Sequence, residues 1–457
     1  MLRDTGTYWS TFGQTVIILL IQIGGLGFMT ISTLFLLLLR RRLGLRQREV
    51  MVDSVSYTQL GGLVPFVRRI FQVTVLAEGL GAVLLALRFV PQFGLSRGIY
   101  YGVWHAVSAF CNAGFDLMGS HSGEFSSFVA YAGDPLVSLT LMALILVGGL
   151  GFLVWDDLAV NTWHWRRYRL QTKLVLVVNL VLVLGGGVLF FLLERTNLGA
   201  GRSLGEQVLT ALFDAVTPRT AGFNTTDTAA LSSGSTLLTI LLMFVGGSPG
   251  STAGGVKTPT VAVLLLHTIS GVRREQSTTA FGRSIGDDEL KKATSVFFTN
   301  LLLALGGALA ICAFQALPLQ EVLFETFSAI GTVGMSTGLT RSLVPLSQAV
   351  IIFLMYCGRV GSISFAVALL EKKAPGDPSP GECSHWIGVC NDEILFDRGN
   401  GVLWPPPLPG PGPAEMRDHD RGPGQREPGG YAALCGQRQG RRLHQRGCAP
   451  LLWGGEL

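Results

Sequence analysis

Three short segments of this chain repeat one pattern, an aromatic residue followed nine or ten positions later by a glycine. Asn-Ala, Thr-Ala or Thr-Val precedes that glycine, and successive glycines lie 108 and then 112 residues apart. Matching features at a nearly constant period indicate an internal repeat. The segments run from Trp104 to Phe115, from Phe213 to Phe223 and from Phe324 to Met335.

The glycine of each segment can adopt backbone conformations closed to other residues, so carbonyl groups beside it can point toward one centre. Rings of backbone carbonyls replace the water around potassium ions in selectivity filters. One Ala-Gly-Phe taken alone is usually a turn, but three copies in the same phase favour a pore. The predicted filter residues are Cys111, Asn112, Ala113, Gly114, Thr220, Ala221, Gly222, Phe223, Thr332, Val333, Gly334 and Met335.

A run of Gly, Ser and Pro from Gly246 to Thr258 interrupts an apolar stretch, and such a run does not stay helical. Irregular backbone at membrane depth is tolerated where it is buried in protein or lines a water-filled cavity; the alternative is a simple kink or a loop between two half-spans. Arg359 lies in the last apolar stretch, where an ionisable residue is functional by default. The alternative for Arg359 is snorkelling to the cytoplasmic interface.

Four acidic residues precede the filter glycines. They either draw cations toward the mouth of a pore or cap and solvate the short helices ahead of the glycines. These acids are Glu206, Asp214, Glu321 and Glu325.

The elements that must position these residues are membrane spans. Of the 457 residues, 48% are hydrophobic and 14% are charged, whereas soluble domains carry roughly 25% charged residues. Basic clusters alternate with pairs of apolar stretches, and the positive-inside rule places these clusters in the cytoplasm and Met1 outside. The seven predicted spans are 14–39, 67–90, 136–159, 172–194, 235–268, 293–316 and 346–371.

Several motifs carry a family resemblance that covers about residues 1 to 375. They are Gly13-Gln14 with Ile21 to Thr30, the segment Thr220 to Asn224, and Gly358 to Gly361. On these residues the chain resembles the ion-translocating subunit of the Trk/Ktr/HKT superfamily, closest to the Ktr type. The resemblance implies an all-α membrane protein of tandem helix, pore-loop, helix repeats, four of which surround a central ion pore.

The same resemblance implies a function. It predicts multi-pass insertion in the bacterial inner (plasma) membrane and potassium uptake that is often sodium-dependent, with no enzymatic chemistry. It also implies an intramembrane gate that Arg359 contacts. The implied gate residues are Gly246, Gly247, Ser248, Gly250, Gly254, Gly255, Lys257 and Arg359.

Expected partners also follow from the resemblance. They are a second copy of the chain in a homodimer, a cytoplasmic ring of nucleotide-binding regulatory subunits and the lipid bilayer, with no nucleic acid. The chain is expected to hold no cofactor and no metal other than transported potassium and, as a coupling ion, sodium.

Two departures from the family pattern are expected. A step of about 110 residues back from Gly114 places the first filter glycine ahead of Met1, so the chain is predicted to begin inside repeat one, through either a late start codon or a broken gene. The last 82 residues hold 16 glycines and 11 of the 20 prolines, a composition that suggests disorder.

An alternative for this tail is an out-of-frame reading of a neighbouring gene for the nucleotide-binding subunit. A one-base shift lets the codons of residues 399–406 encode a G-x-G-x-x-G turn. The predicted organisation is 1–45 for the second helix of repeat one, 46–170 for repeat two, 171–285 for repeat three with the gate, 286–375 for repeat four and 376–457 for the tail.

Two other functions remain open at this point. A membrane enzyme would need clustered histidines and acids, but the seven histidines are scattered and share no motif. A remnant that no longer transports is the other alternative, since three filters do not close a four-repeat pore.

Overall fold

A computed structural model describes residues 3–27, 63–162, 164–275 and 277–360. Apart from two strands of two residues each, the regular elements in these ranges are helices. They are, in chain order, α1 (Thr5–Tyr8), α2 (Thr11–Leu26), α3 (Leu63–Phe93), α4 (Leu95–Phe110), α5 (Gly119–Ser122), α6 (Pro135–Leu150), α7 (Phe152–Asn161), α8 (Leu170–Glu194), α9 (Leu204–Val216), α10 (Ser233–Phe244), α11 (Thr258–Val272), β1 (Thr279–Ala280), β2 (Arg283–Ser284), α12 (Asp287–Phe314), α13 (Leu319–Ile330) and α14 (Pro345–Val360).

One helical unit occurs three times in these ranges. A long helix packs against the short helix that follows it, and this gives the pairs α3 with α4, α8 with α9, and α12 with α13. Each short helix ends just before a predicted filter glycine, and a further apolar helix, α6, α10 or α14, follows. The arrangement is the predicted succession of helix, pore loop and helix.

Within the described residues, three helices are long and apolar enough to cross a membrane, namely α3, α8 and α12. Their outward faces are apolar: on α8, for example, Leu180, Leu184 and Leu192 are more than half exposed. An apolar exterior on long helices is the expected surface of a bilayer protein. The predicted spans 67–90, 172–194 and 293–316 coincide with these helices.

The predicted span over 136–159 consists of two helices, α6 and α7, joined by a sharp bend. The chain turns by 92° between α6 and α7, and the residue at the turn is Gly151, with φ +93°. A Cβ atom built there would lie 2.6 Å from the carbonyl oxygen of Pro249. Glycine is therefore required both for the left-handed backbone and for the close approach.

The three remaining predicted spans are either interrupted by a loop or only partly described. The stretch 235–268 consists of α10 and α11 with an irregular loop between them, as its Gly, Ser and Pro content predicts. Spans 14–39 and 346–371 contain α2 and α14, and their remaining residues lie outside the described ranges, as do residues 361–457.

Candidate functional site

The three predicted filter segments share one backbone conformation. In each, the filter glycine has a positive φ, and so does the residue two positions before it, which is not a glycine. Left-handed conformations of other residues are strained, so their recurrence marks a shared structural requirement. The φ values are 50° at Asn112 and 68° at Gly114, 73° at Thr220 and 81° at Gly222, and 53° at Thr332 and 88° at Gly334. We call Cys111–Gly114, Thr220–Phe223 and Thr332–Met335 the glycine segments.

A hydroxyl group at the end of each short helix fixes the chain just after the glycine. It donates a hydrogen bond to the carbonyl of the residue that follows the glycine, so the glycine segment is closed into a loop. The bonds run from Ser108 Oγ to Phe115 O (2.7 Å), from Thr217 Oγ1 to Phe223 O (2.5 Å) and from Ser328 Oγ to Met335 O (2.6 Å). Sequence reasoning missed these hydroxyls, although they lie five or six residues ahead of the glycines.

The glycine segments contact one another in chain order. A Cβ atom built at Gly114 would lie 2.4 Å from the carbonyl oxygen of Ala221, and one built at Gly222 would lie 2.4 Å from that of Val333. A Cβ atom built at Gly334 would meet no described residue within 4 Å. The segments therefore follow one another around a common centre, with the side at Gly334 open within the described part of the chain.

The short helices α4, α9 and α13, which we call the pore helices, each carry the aromatic residue of the repeated pattern. The residue after that aromatic is polar, and its side chain forms hydrogen bonds with residues that follow the glycine segment. His105 Nε2 accepts from the Leu117 N–H at 3.0 Å, and a carboxylate oxygen of Asp214 accepts from Thr226 Oγ1 at 3.0 Å. These side chains are buried, so their bonds hold the segments in place.

The four acids of the pore helices therefore have different structural roles. Glu325 is buried like Asp214; it accepts from the Thr337 N–H at 3.2 Å and from the hydroxyls of Ser336 and Thr340. Both buried carboxylates therefore fix loops. Glu206 forms a capping box with Ser203 at the start of α9, and Glu321 lies in the first turn of α13.

A cavity of about 500 Å³, which we call the vestibule, lies above the glycine segments. Gly114, Gly222 and Gly334 all line it, so the three segments open into one space. Carboxylates outnumber basic groups in its wall, which makes the space attractive to cations. The charged residues that line it are Asp4, Asp116, Glu124, Asp227 and Arg341.

The carboxyl of Asp116, in the wall of the vestibule, has a raised pKa. Burial raises the pKa of its carboxyl to about 6, and the nearby charge of Asp4 adds to that rise. Hydrogen bonds from the Met118 N–H and from Ser127 act in the opposite direction. The carboxyl therefore carries its charge above about pH 6 and loses it below.

On the opposite side of the glycine segments lies the loop between α10 and α11, residues 245–257, which we call the inner loop. It fits into the break between α6 and α7, where helix ends leave backbone groups without partners. Ser248 N–H donates to Gly149 O at 3.1 Å, and Phe152 N–H donates to Gly250 O at 2.7 Å. The bend at Gly151 thus creates the polar groups that hold the inner loop.

The inner loop touches two of the glycine segments. Asn112 Nδ2 donates to Thr252 Oγ1 at 3.0 Å, and Thr252 Oγ1 donates to Phe110 O at 3.1 Å. A Cβ atom built at Gly254 would lie 1.9 Å from Thr332 Oγ1. The loop therefore lies against the inner ends of the glycine segments with no room for larger side chains.

Arg359 reaches the inner loop from α14. Its guanidinium donates to Thr252 O at 3.3 Å and to Gly24 O at 2.8 Å, so it joins the inner loop to the end of α2. Lys257 Nζ donates to Ala253 O at 3.0 Å within the loop. The contact predicted for Arg359 is present.

Two features of the inner side were missed in the sequence. Gly148 to Phe152 repeats Gly24 to Phe28 letter for letter, and both Gly27 and Gly151 have positive φ at the end of a helix. This repeat was the signal that could have placed the bend. Arg219 is also buried here, with Nη2 3.4 Å from Thr258 Oγ1; its place three residues before Gly222 gives no signal of that burial.

Comparison with known proteins gives consistent results. The family model described as "TrkH: Cation transport protein" matches residues 1–377. Ktr system potassium uptake protein B of Bacillus subtilis (strain 168) is 38% identical over 370 residues, which cover 80% of this chain and 82% of that protein. Potassium/sodium uptake protein NtpJ of Enterococcus hirae is 36% identical over 374 residues, which cover 81% of each.

A solved structure supports the same fold. The crystal structure of the potassium transporter TrkH from Vibrio parahaemolyticus matches with a TM-score of 0.59 at 17% identity, and the match covers 78% of this chain and 72% of that one. The likeness at this identity concerns the fold alone.

Proposed function

Because this chain belongs to the TrkH family of cation transport proteins, we propose that it carries potassium ions into the cell through a filter that includes the three glycine segments. It is a multi-pass protein of the plasma membrane, and its relatives are ion transporters, not enzymes. The names of its relatives from Bacillus subtilis and Enterococcus hirae support potassium as the cargo.

One observation carries the proposal: the same strained backbone occurs three times around one cavity lined by the three glycines. Such strain persists only where the surroundings hold it, and it gathers at functional sites. Carbonyl groups of the glycine segments that are not bonded to the helix hydroxyls are the proposed ligands that replace the hydration shell of the ion. The buried bonds to the pore helices keep those carbonyls from moving.

The inner loop is the proposed gate. Its contacts with Asn112 and Thr332 put backbone across the inner ends of the glycine segments, and Arg359 holds it there. In this arrangement the loop obstructs the path of an ion that leaves the filter. Movement of the loop away from α6 and α7 would open that path.

Sodium dependence and assembly belong to the same proposal. The name of the Enterococcus hirae relative includes sodium, which supports sodium as a second ion. A homodimer and a cytoplasmic ring of nucleotide-binding subunits remain predictions from the family resemblance.

The experiment that tests the proposal is rubidium uptake in a bacterial host that lacks its own potassium uptake. The full chain should restore growth at low potassium concentration and accumulate rubidium. A matched variant, Gly222→Ser, should reach the membrane in equal amount and discriminate less between potassium and sodium. Absence of any uptake by a chain that is inserted in the membrane would contradict the proposed function and favour a remnant that no longer transports.

A further inference from the structure

Arg341 is a basic residue in the wall of an otherwise acidic vestibule. It lies in the short turn Leu339–Ser342 that follows the third glycine segment. Four carboxylates line the same cavity. Among the described residues, no ion pair joins Arg341 to any of them, so its charge adds to the potential of the cavity as a whole. A cation placed at the entrance to a cation path needs an explanation.

The guanidinium group of Arg341 is held in place. Its central carbon lies 4.2 Å from the centre of the Phe125 ring, a cation–π contact. Phe125 has φ 61°, an outlier for a bulky residue, and its N–H donates to Asp4 Oδ1 at 3.1 Å. A strained aromatic residue fixed to a vestibule acid therefore carries the platform on which the guanidinium lies.

We infer that Arg341 is a specificity-determining residue: a tethered cation that reduces the negative potential of the vestibule and so disfavours divalent cations relative to potassium. The inference rests on the proposed cation transport. Its physical basis is that a divalent ion interacts with a given potential twice as strongly as a monovalent ion. One fixed positive charge therefore changes the local concentrations of the two kinds of ion by different factors.

The size of the effect follows from the size of the cavity. A cavity of about 500 Å³ is about 10 Å across, so an ion at its centre lies about 5 Å from a charge in the wall, which is within one Debye length at physiological salt. Removal of one charge at that distance changes the local concentration of a monovalent ion by roughly twofold. The change for a divalent ion is the square, roughly fourfold.

The experiment measures rubidium uptake and its inhibition by barium in the unaltered full chain and in three variants. Arg341→Gln removes the charge, and Arg341→Lys keeps it. Arg97→Gln removes one charge at the start of α4, outside the vestibule lining. In Arg341→Gln, we expect the rubidium concentration for half-maximal uptake to fall roughly twofold and the inhibitory barium concentration to fall roughly fourfold. Both differences should shrink when the ionic strength is raised with an impermeant, sodium-free salt.

Arg341→Lys should stay close to the unaltered chain, and Arg97→Gln should change neither quantity. Equal barium inhibition in Arg341→Gln and Arg97→Gln would overturn the inference, as would a rubidium change without the larger barium change. A structural defect would not produce the squared relation or its dependence on salt.

A second measurement separates this inference from the proposed function. Thermal unfolding of the purified chain in detergent, titrated with barium chloride, reports binding without transport. If the unaltered chain takes up no rubidium, the proposed function fails. The role of Arg341 is then decided by whether barium stabilises Arg341→Gln at lower concentration than it stabilises Arg97→Gln, and equal concentrations would overturn it.

Discussion

Gly222 and Gly334 provide a matched pair of alanine substitutions in the proposed filter. Both residues have a left-handed backbone, with φ 81° and 88°, so a side chain at either costs about 1 to 2 kcal/mol through the backbone alone. They differ in what a methyl group would touch. At Gly222 it would lie 2.4 Å from Val333 O, whereas at Gly334 it would meet no described residue within 4 Å.

The contact at Gly222 sets the expected magnitude. Real Cβ atoms do not approach other heavy atoms within 3.0 Å, so the Val333 carbonyl must move by at least about 0.6 Å or rotate away. Loss of one hydrogen-bond-like contact to a charged group is worth about 1.5 to 3 kcal/mol. Since 1.4 kcal/mol is a factor of ten, Gly222→Ala should weaken potassium binding by about ten- to a hundredfold and lower the preference for potassium over sodium by up to that factor.

Gly334→Ala should destabilise the local backbone without displacing a carbonyl group. Its preference for potassium over sodium should therefore stay near that of the unaltered chain. Rubidium and sodium uptake measured in parallel give the ratio, and immunoblots of the membrane fraction correct for expression. Gly185→Ala in α8, where a Cβ atom would meet nothing within 4 Å, is the control for insertion. If Gly334→Ala lost as much preference as Gly222→Ala, the order of the segments around the centre would be wrong.

Three further predictions concern the inner loop, the helix bend and the vestibule. Arg359→Gln removes two donors to backbone carbonyls, so rubidium flux from proteoliposomes should rise several-fold with unchanged ion preference; a fall in flux would mean that the loop is only structural. Gly151→Ala should destabilise the fold by about 2 kcal/mol or more and lower the melting temperature, because Gly151 has φ +93° and its Cβ atom would lie 2.6 Å from a carbonyl oxygen of the inner loop. A melting temperature equal to that of Gly185→Ala would contradict the assigned contact. Burial raises the pKa of Asp116 to about 6, so its negative charge is lost as external pH falls through that value. Rubidium uptake at low concentration should therefore weaken over this pH range in the unaltered chain and much less in Asp116→Asn. Identical pH profiles of the two proteins would remove Asp116 from the entry path.

The sequence was sufficient to place the glycine segments because their signal is local and repeated. An aromatic residue, a short apolar helix and a glycine recur in the same phase, and the structure gives all three copies the same conformation. The interruption between α10 and α11 was predictable for the same reason, since its composition excludes a regular helix. Repetition and composition can be recognised in a single sequence without knowledge of tertiary contacts.

Features that depend on contacts between distant residues were not predictable from those patterns. Asp214 and Glu325 were interpreted as acids that draw cations or solvate helices, yet their hydrogen bonds reach 12 residues along the chain to fix loops. The bend at Gly151 had a signal in the repeated Gly-Gly-Leu-Gly-Phe, but the close contact with the Pro249 carbonyl of the inner loop had none. A hydrophobicity pattern shows only that a segment is long and apolar enough to cross a membrane. The helices α6 and α7 together meet these two criteria although the chain turns by 92° between them.

The glycine segments and the inner loop are held by bonds of different kinds. Each glycine segment is held by a hydroxyl bond of 2.5 to 2.7 Å and by a buried polar side chain on its pore helix, which over-determines a strained backbone. The inner loop is held by bonds of mixed length: Phe152 N–H lies 2.7 Å from Gly250 O, whereas near Thr252 the bonds are longer, with 3.4 Å from the Thr252 N–H to Gly148 O and 3.3 Å for the Arg359 bond to the loop. Local opening involves the segments with the fewest strong contacts. The proposed filter and the proposed gate therefore depend largely on different bonds, with the bond from Asn112 Nδ2 to Thr252 Oγ1 shared between them. A substitution away from that shared bond should alter one function and leave the other intact.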